Sequence, residues 1–94
     1  MYHVYILTNR RNGTLCVGCT SDLVKRIYQH KQGCIKGFTE KYKVNVLVHC
    51  EMFYDVNDAI SRERNLKSWR RIWKLRLIEE KNPEWSDLYE KMMG

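Results

Sequence analysis

One proline and five glycines in 94 residues leave no stretch that reads as a linker, a repeat array or a low-complexity tract. No apolar run approaches the roughly 20 residues that a membrane helix requires. The opening Met-Tyr-His-Val-Tyr-Ile-Leu lacks the charged start and small-residue cleavage site of a signal peptide. These absences point to a cytoplasmic location and to no membrane partner. Length excludes a second domain, because a chain of this size hides only roughly 60 to 65% of its unfolded surface even around one core. A single domain over residues 1–94, with its core from about 2 to 88, is therefore expected.

Acidic residues are missing from one place in particular. Arg62, Arg64, Lys67, Arg70, Arg71, Lys74 and Arg76 crowd fifteen residues in which Glu63 is the sole acid, whereas the tail carries Glu79, Glu80, Glu84, Asp87 and Glu90. The whole chain holds 17 Lys and Arg against 11 Asp and Glu, a formal charge of +6, which favours a polyanionic partner. Three Trp, six Tyr and two Phe exclude a disordered basic tail. Four cysteines at 16, 19, 34 and 50 read in the cytosol as thiols or a zinc site.

Residues 3–8 and 14–19 are rich in β-branched and aromatic types and flank Asn12-Gly13, a strong hairpin signal. A two-residue turn there would set Tyr5 opposite Thr20, Leu7 opposite Gly18 and Asn9 opposite Cys16, with all six on one face. That period puts Cys16 and Cys19 on opposite faces, which argues against a shared zinc or a mutual disulfide. Cys19, Cys34 and Cys50 then read as small buried hydrophobes.

Thr20-Ser21-Asp22 starts a helix, with a hydroxyl at the cap and a carboxylate in the first turn, that runs to about Lys31 and stops near Gly33. Leu23, Ile27 and positions 30 and 34 form its inward stripe, with Arg26 and His30 one turn apart at the margin. A basic loop with Lys36, Lys41 and Lys43 follows, interleaved with Phe38 and Tyr42. Val44–Met52 is almost continuously apolar and reads as a third strand, the central or most buried one. Asp55 caps a helical region from Val56 to about Lys81, broken near 68–71, and Asn82-Pro83 opens a last short helix. The fold class is α+β, a layered α/β/α domain with a three-stranded antiparallel sheet flanked by helices.

Glu63 breaks its own pattern, lying on the stripe that should be apolar. It is either an ion-pair partner of Arg26, Lys67 or a neighbouring arginine, or a ligand for a hard cation such as Mg²⁺, which often takes a single carboxylate and completes its shell with water and phosphate. Arg26 and His30 are open to the same two readings, a solvated cation beside a satisfied imidazole or a phosphate fork beside a proton carrier.

Val4-Tyr5-Ile6, then Cys16-Val17-Gly18, Asp22-Leu23-x-x-Arg26-x-x-x-His30, Ala59-Ile60-x-x-Glu63 and Asn82-Pro83 together resemble the GIY-YIG endonuclease superfamily, and in particular its small stand-alone bacterial members. The resemblance spans Tyr2 to about Leu88. It implies Mg²⁺-dependent (or Mn²⁺-dependent) phosphodiester hydrolysis with a single ion. Tyr5 matches the first-motif tyrosine, Arg26 the helix arginine, His30 the histidine one turn later and Glu63 the metal-binding glutamate. Asn82 matches a later asparagine or is a plain helix cap.

The first motif lacks its glycine, position 4 being Val preceded by His3, and Cys16 stands where the second motif has its tyrosine, ahead of Gly18. In the implied chemistry Glu63 holds the ion, Arg26 steadies phosphoryl oxygens, Tyr5 orients or deprotonates water and His30 takes the proton from Tyr5. A phenol is a weak base at pH 7, so Arg26 or His30 is required to favour its phenolate.

Sequence-independent backbone contacts are expected from Lys36, Lys41, Lys43, Arg62, Arg64, Lys67, Arg70, Arg71 and Lys74. The expected function is a structure- or end-selective DNA endonuclease of low sequence specificity, with RNA as an alternative substrate and a monomer as the simpler state. The competing reading is a nucleic-acid-binding module impaired in catalysis by Cys16, since a thiol is shorter than a phenol and a weaker donor.

Overall fold

The computed structural model of the chain describes residues 1–33 and 41–93. Cys34, Lys36 and Phe38 lie outside the described residues. β1 (Tyr2–Thr8) and β2 (Leu15–Thr20) pair antiparallel, with Tyr5 opposite Gly18 and Leu7 opposite Cys16. This register is two residues away from the one a two-residue turn would impose. The connection is longer because side chains take over its hydrogen bonds: Asn9 Oδ1 accepts from the Thr14 N–H at 3.0 Å, and Thr8 Oγ1 donates to the Arg10 carbonyl at 2.7 Å. The bend itself is Arg10–Gly13, closed by the Gly13 N–H on the Arg10 carbonyl, with Asn12 at φ +56°. Asn9 thus leaves the ladder, but a slip of two keeps every strand side chain on its expected face.

β3 (Val46–Phe53) pairs with the other side of β1, giving the order β2-β1-β3. The central strand is therefore β1, and β3 is an edge strand despite its apolar run. Two features explain that run. A bulge sets Ile6 opposite His49 and Leu7 opposite Leu47, with Val48 the extra residue, and Leu47 and Val48 enter the cores on opposite faces of the sheet. The free edge is also covered: Asn82 Nδ2 donates to the Val48 carbonyl at 3.1 Å, and the Leu47 N–H donates to Asp87 Oδ1 at 3.3 Å.

Helix α1 (Leu23–Lys31) is capped by Asp22, whose carboxylate accepts from the Lys25 N–H, so Asp22 is the cap and not a first-turn residue. Thr20 supports the cap from behind, its hydroxyl accepting from the Asp22 N–H at 3.1 Å. Gly33 ends the segment at φ +70°. Asp55 caps α2 (Val56–Ser68), and extended backbone at Trp69 and Arg70 breaks it from α3 (Arg71–Lys81) as the pattern predicts.

The expected helix at Asn82-Pro83 is instead a turn. The Trp85 N–H bonds the Asn82 carbonyl, Trp85 takes φ +55°, and α4 (Leu88–Met93) begins only where Asp87 accepts from the Tyr89 N–H. Val4, Ile6, Val17 and Val48 meet Ala59, Leu66 and Ile78 of α2 and α3 on one face of the sheet. Tyr5, Leu7 and Leu47 meet Leu23 and Ile27 of α1, with Leu88 and Tyr89 of α4, on the other. The result is the α/β/α layering the sequence predicts. Among the described residues no helix is long and apolar enough to cross a membrane.

Candidate active site

Tyr5 occupies the middle of the central strand, 3% exposed, with its ring laid across Gly18. A Cβ at position 18 would fall 2.4 Å from the phenol oxygen and 2.5 Å from Cζ, so only glycine admits this placement. His30, on the last turn of α1, brings Nε2 to 3.5 Å from the phenol oxygen, with the rings 6.1 Å apart at 66°. Its Nδ1 is buried and has no hydrogen-bond partner among the described residues.

Burial pushes the Tyr5 phenol up to about 12, against the opposing pull of Arg26 and with smaller upward contributions from Cys16, Glu63 and Cys19. Arg26 does pull towards the phenolate, as expected of a neighbouring cation, but desolvation outweighs it. Burial, reinforced by Arg26, also lowers the His30 pKa from 6.5, so at neutral pH the imidazole is uncharged and can accept a proton at Nε2.

Arg26 and Glu63 come from helices on opposite faces of the sheet, and they meet at its end. Both line a cleft of about 370 Å³ with Tyr2, Cys19, Thr20 and Ile60, where the last residues of β2 separate the two layers. Arg26 also borders an adjoining hollow of about 420 Å³ with Asp22, Lys25 and Gln29. Tyr5 lies behind the cleft, close enough to feel the charges of both Arg26 and Glu63. The structure thus brings Tyr5, Gly18, Arg26, His30 and Glu63 into one neighbourhood.

Glu63 has a partner, Lys67, at 3.1 Å one turn along α2, but the lysine is 56% exposed and its hold is weak. Among the described residues no group of three or more His, Cys, Asp or Glu side chains could hold a metal. What the cleft offers a cation is one hard carboxylate with open space beside it, which fits Mg²⁺ or Mn²⁺ drawing most of its shell from water and phosphate, and does not fit zinc. Cys16, Cys19 and Cys50 are free thiols. Cys16 and Cys19 do lie against opposite cores, and burial pushes the Cys16 thiol up, so it stays a neutral, weak donor.

The remaining candidates are scattered. Asn82 is 5% exposed and lies away from the cleft, with Nδ2 on the Val48 and Ser86 carbonyls and Oδ1 accepting from the Ser86 N–H. It is neither a cleft residue nor the cap of a following helix, but the tie between the C-terminal segment and β3. Arg62 turns inward, its Nε and Nη2 on the two Glu51 oxygens at 2.8 and 3.0 Å, and is not offered to phosphate. Arg71 donates to the carbonyls of Asn12 and Gly13. Lys41, Lys43, Arg64, Lys67 and Arg70 are exposed and Lys74 is half-exposed. Sequence reading missed the set of His49, Glu51 and Arg62, in which His49 Nε2 also meets Glu51 at 2.8 Å. The available signal was a His and a Glu two apart on a strand, hence on one face.

Residues 1–76 match the family model described as the GIY-YIG catalytic domain. A UPF0213 protein of Clostridium perfringens is 37% identical over 91 residues, covering 97% of this chain and 96% of its own length. A UPF0213 protein from the VLF1-GP41 intergenic region of Autographa californica nuclear polyhedrosis virus is 42% identical over 83 residues, covering 83% of this chain and 76% of its own. The solution structure of a UPF0213 protein from Bacillus halodurans superimposes with a TM-score of 0.57 at 27% identity, over 94% of both chains.

Proposed function

We propose, for a chain that belongs to the GIY-YIG family, that the cleft at the end of β2 hydrolyses phosphodiester bonds in DNA, selecting substrates by structure or by ends and not by sequence. Family membership carries nuclease-type activity on nucleic acid, and GIY-YIG nucleases are generally dependent on a divalent metal. The observation that supports the finer reading is the pairing of a buried, protonated Tyr5 with a neutral His30 behind it and with Arg26 and Glu63 on its cleft side.

A phenol held at about 12 is no free base at neutral pH. It can still take a proton from water if it hands its own to His30 Nε2 in the same motion, so that a phenolate never accumulates. The imidazole is uncharged and poised to accept, and Gly18 leaves the room in which the phenol lies. Arg26, whose fork matches two phosphoryl oxygens, orients the phosphate and balances the charge that develops on it. Glu63 is the residue that would hold Mg²⁺ or Mn²⁺ after release from Lys67; the ion supplies Lewis-acid stabilisation of the departing oxygen. Cys16 contributes no strong hydrogen bond here, and its effect is on rate.

The test is cleavage of branched, nicked and duplex DNA with Mg²⁺ or Mn²⁺ by the protein and by Glu63→Gln. Product from the unaltered chain and a loss of at least ~100-fold in the variant are expected. Equal cleavage by both would overturn the site. Salt-dependent binding with no product from either would assign the chain to the binding module that Cys16 suggests.

A further inference from the structure

Helix α3 carries apolar surface that its own packing does not use. Ile78 is fully buried, but Ile72 and Trp73 at its start are 51% and 46% exposed. Trp73 is not isolated. It meets Trp69 edge to face, with centroids 6.1 Å apart at 86°, and the guanidinium groups of Arg62 and Arg70 lie over Trp69 and Trp73 at 5.0 and 5.7 Å. Two adjacent rings flanked by two cations therefore line the corner between α2 and α3, in the order Arg62, Trp69, Trp73, Arg70. The inner half of this ladder is held in place, because Arg62 is anchored on both oxygens of Glu51. The outer half, Trp73 and Arg70, faces solvent.

The ligand that suits such a corner must offer flat apolar rings and negative charge together. Duplex nucleic acid hides its base faces, and an acidic peptide carries charge without rings. Single-stranded nucleic acid presents both on every unit, and stacking on an aromatic side chain flanked by arginine is tolerant of sequence. We infer that Trp73 with Arg70 is a stacking site for an unpaired base, so that the substrate of the cleft is single-stranded on the side that leaves along α2. Glu63 lies five residues before Ser68, the end of α2, about 7.5 Å along its axis, with the exposed Lys67 between them, and Trp69 follows directly. The link to cleavage rests on the nuclease reading above; the binding itself does not.

The experiment measures affinity in EDTA, by anisotropy of labelled DNA and quenching of tryptophan emission. The full chain, Trp73→Ala, Trp73→Phe and Glu63→Gln are titrated with oligothymidylate, with an abasic oligomer of equal length and with a duplex of equal length. Trp73→Ala is expected to weaken oligothymidylate roughly tenfold while leaving the abasic oligomer unchanged, and Trp73→Phe is expected to restore most of the affinity. Equal oligothymidylate affinity for the chain and Trp73→Ala, or a parallel loss on all three ligands, would overturn the stacking site. Sedimentation showing a dimer that Trp73→Ala dissociates would assign the face to a second copy and also overturn it. If oligothymidylate behaves as expected but no DNA is cleaved, the stacking site stands and the nuclease reading fails. If Glu63→Gln alone abolishes cleavage and Trp73→Ala binds normally, the reverse holds.

Discussion

Two sets built from the same residue types sit in different parts of this molecule, Glu51 with Arg62 and His49 beside β3, and Glu63 with Arg26 and His30 around the end of β2. In the first, every charged partner is matched. Glu51 receives two bonds from the arginine fork and one contact from His49, and those bonds outweigh burial to hold its carboxyl at about 2. In the second, among the described residues, Glu63 pairs only with an exposed lysine, His30 Nδ1 has no partner, and the phenol contact is long. A satisfied network has nothing left to offer a ligand, whereas an under-partnered one retains unused donors and acceptors. The contrast separates a saturated cluster from one with capacity to spare more sharply than residue type or charge does.

That contrast can be broken most forcefully at Arg62. Arg62→Ala should cost about 2 to 3 kcal/mol in urea unfolding at pH 7, because it leaves a half-buried carboxylate short of its main partner. The folded pKa of Glu51 lies below its ordinary 4.5, so its stabilisation is complete above pH 4.5 and lost as pH falls towards 2. The gap between the chain and the variant should therefore close across that interval; a gap that ignores pH would mean that Arg62 acts through Trp69 instead. A smaller loss, about 1 to 2 kcal/mol, is expected for Gly18→Ala, since the new methyl group must displace the Tyr5 ring. Cleavage should fall further than stability, and normal cleavage by a folded Gly18→Ala protein would remove Tyr5 from the reaction. The least effect belongs to Lys67→Ala, within about 0.5 kcal/mol, because its pair with Glu63 is exposed. A loss above about 1 kcal/mol would make Glu63 a structural residue like Glu51.

Much of the architecture was legible because its signals are local. The helix start within Thr20-Ser21-Asp22, the cap at Asp55, the stop at Gly33 and the break at Trp69-Arg70 each depend on a few neighbouring residues. The faces of β1 and β2 followed from alternation alone, and so survived an error in turn length. Strand order did not, because an apolar run is equally compatible with a central strand and with an edge strand covered by a distant segment. Asn82 and Asp87 supply that cover from more than thirty residues away. In the site, motif spacing marked Tyr5, Arg26, His30 and Glu63, but not the balance at Tyr5, where burial outweighs the pull of Arg26, since desolvation depends on what surrounds a group in space.

Periodicity, turn chemistry and capping, all acting over a turn or a strand, were enough to determine most of the elements, their faces and the residue types that could do phosphate chemistry. Tertiary structure alone decided which carboxylate was satisfied and which left open, which strand lay in the middle, and how far the phenol was withdrawn from water. Those outcomes depend on contacts between segments remote in the chain, and electrostatic balance is set by the full surroundings of a group.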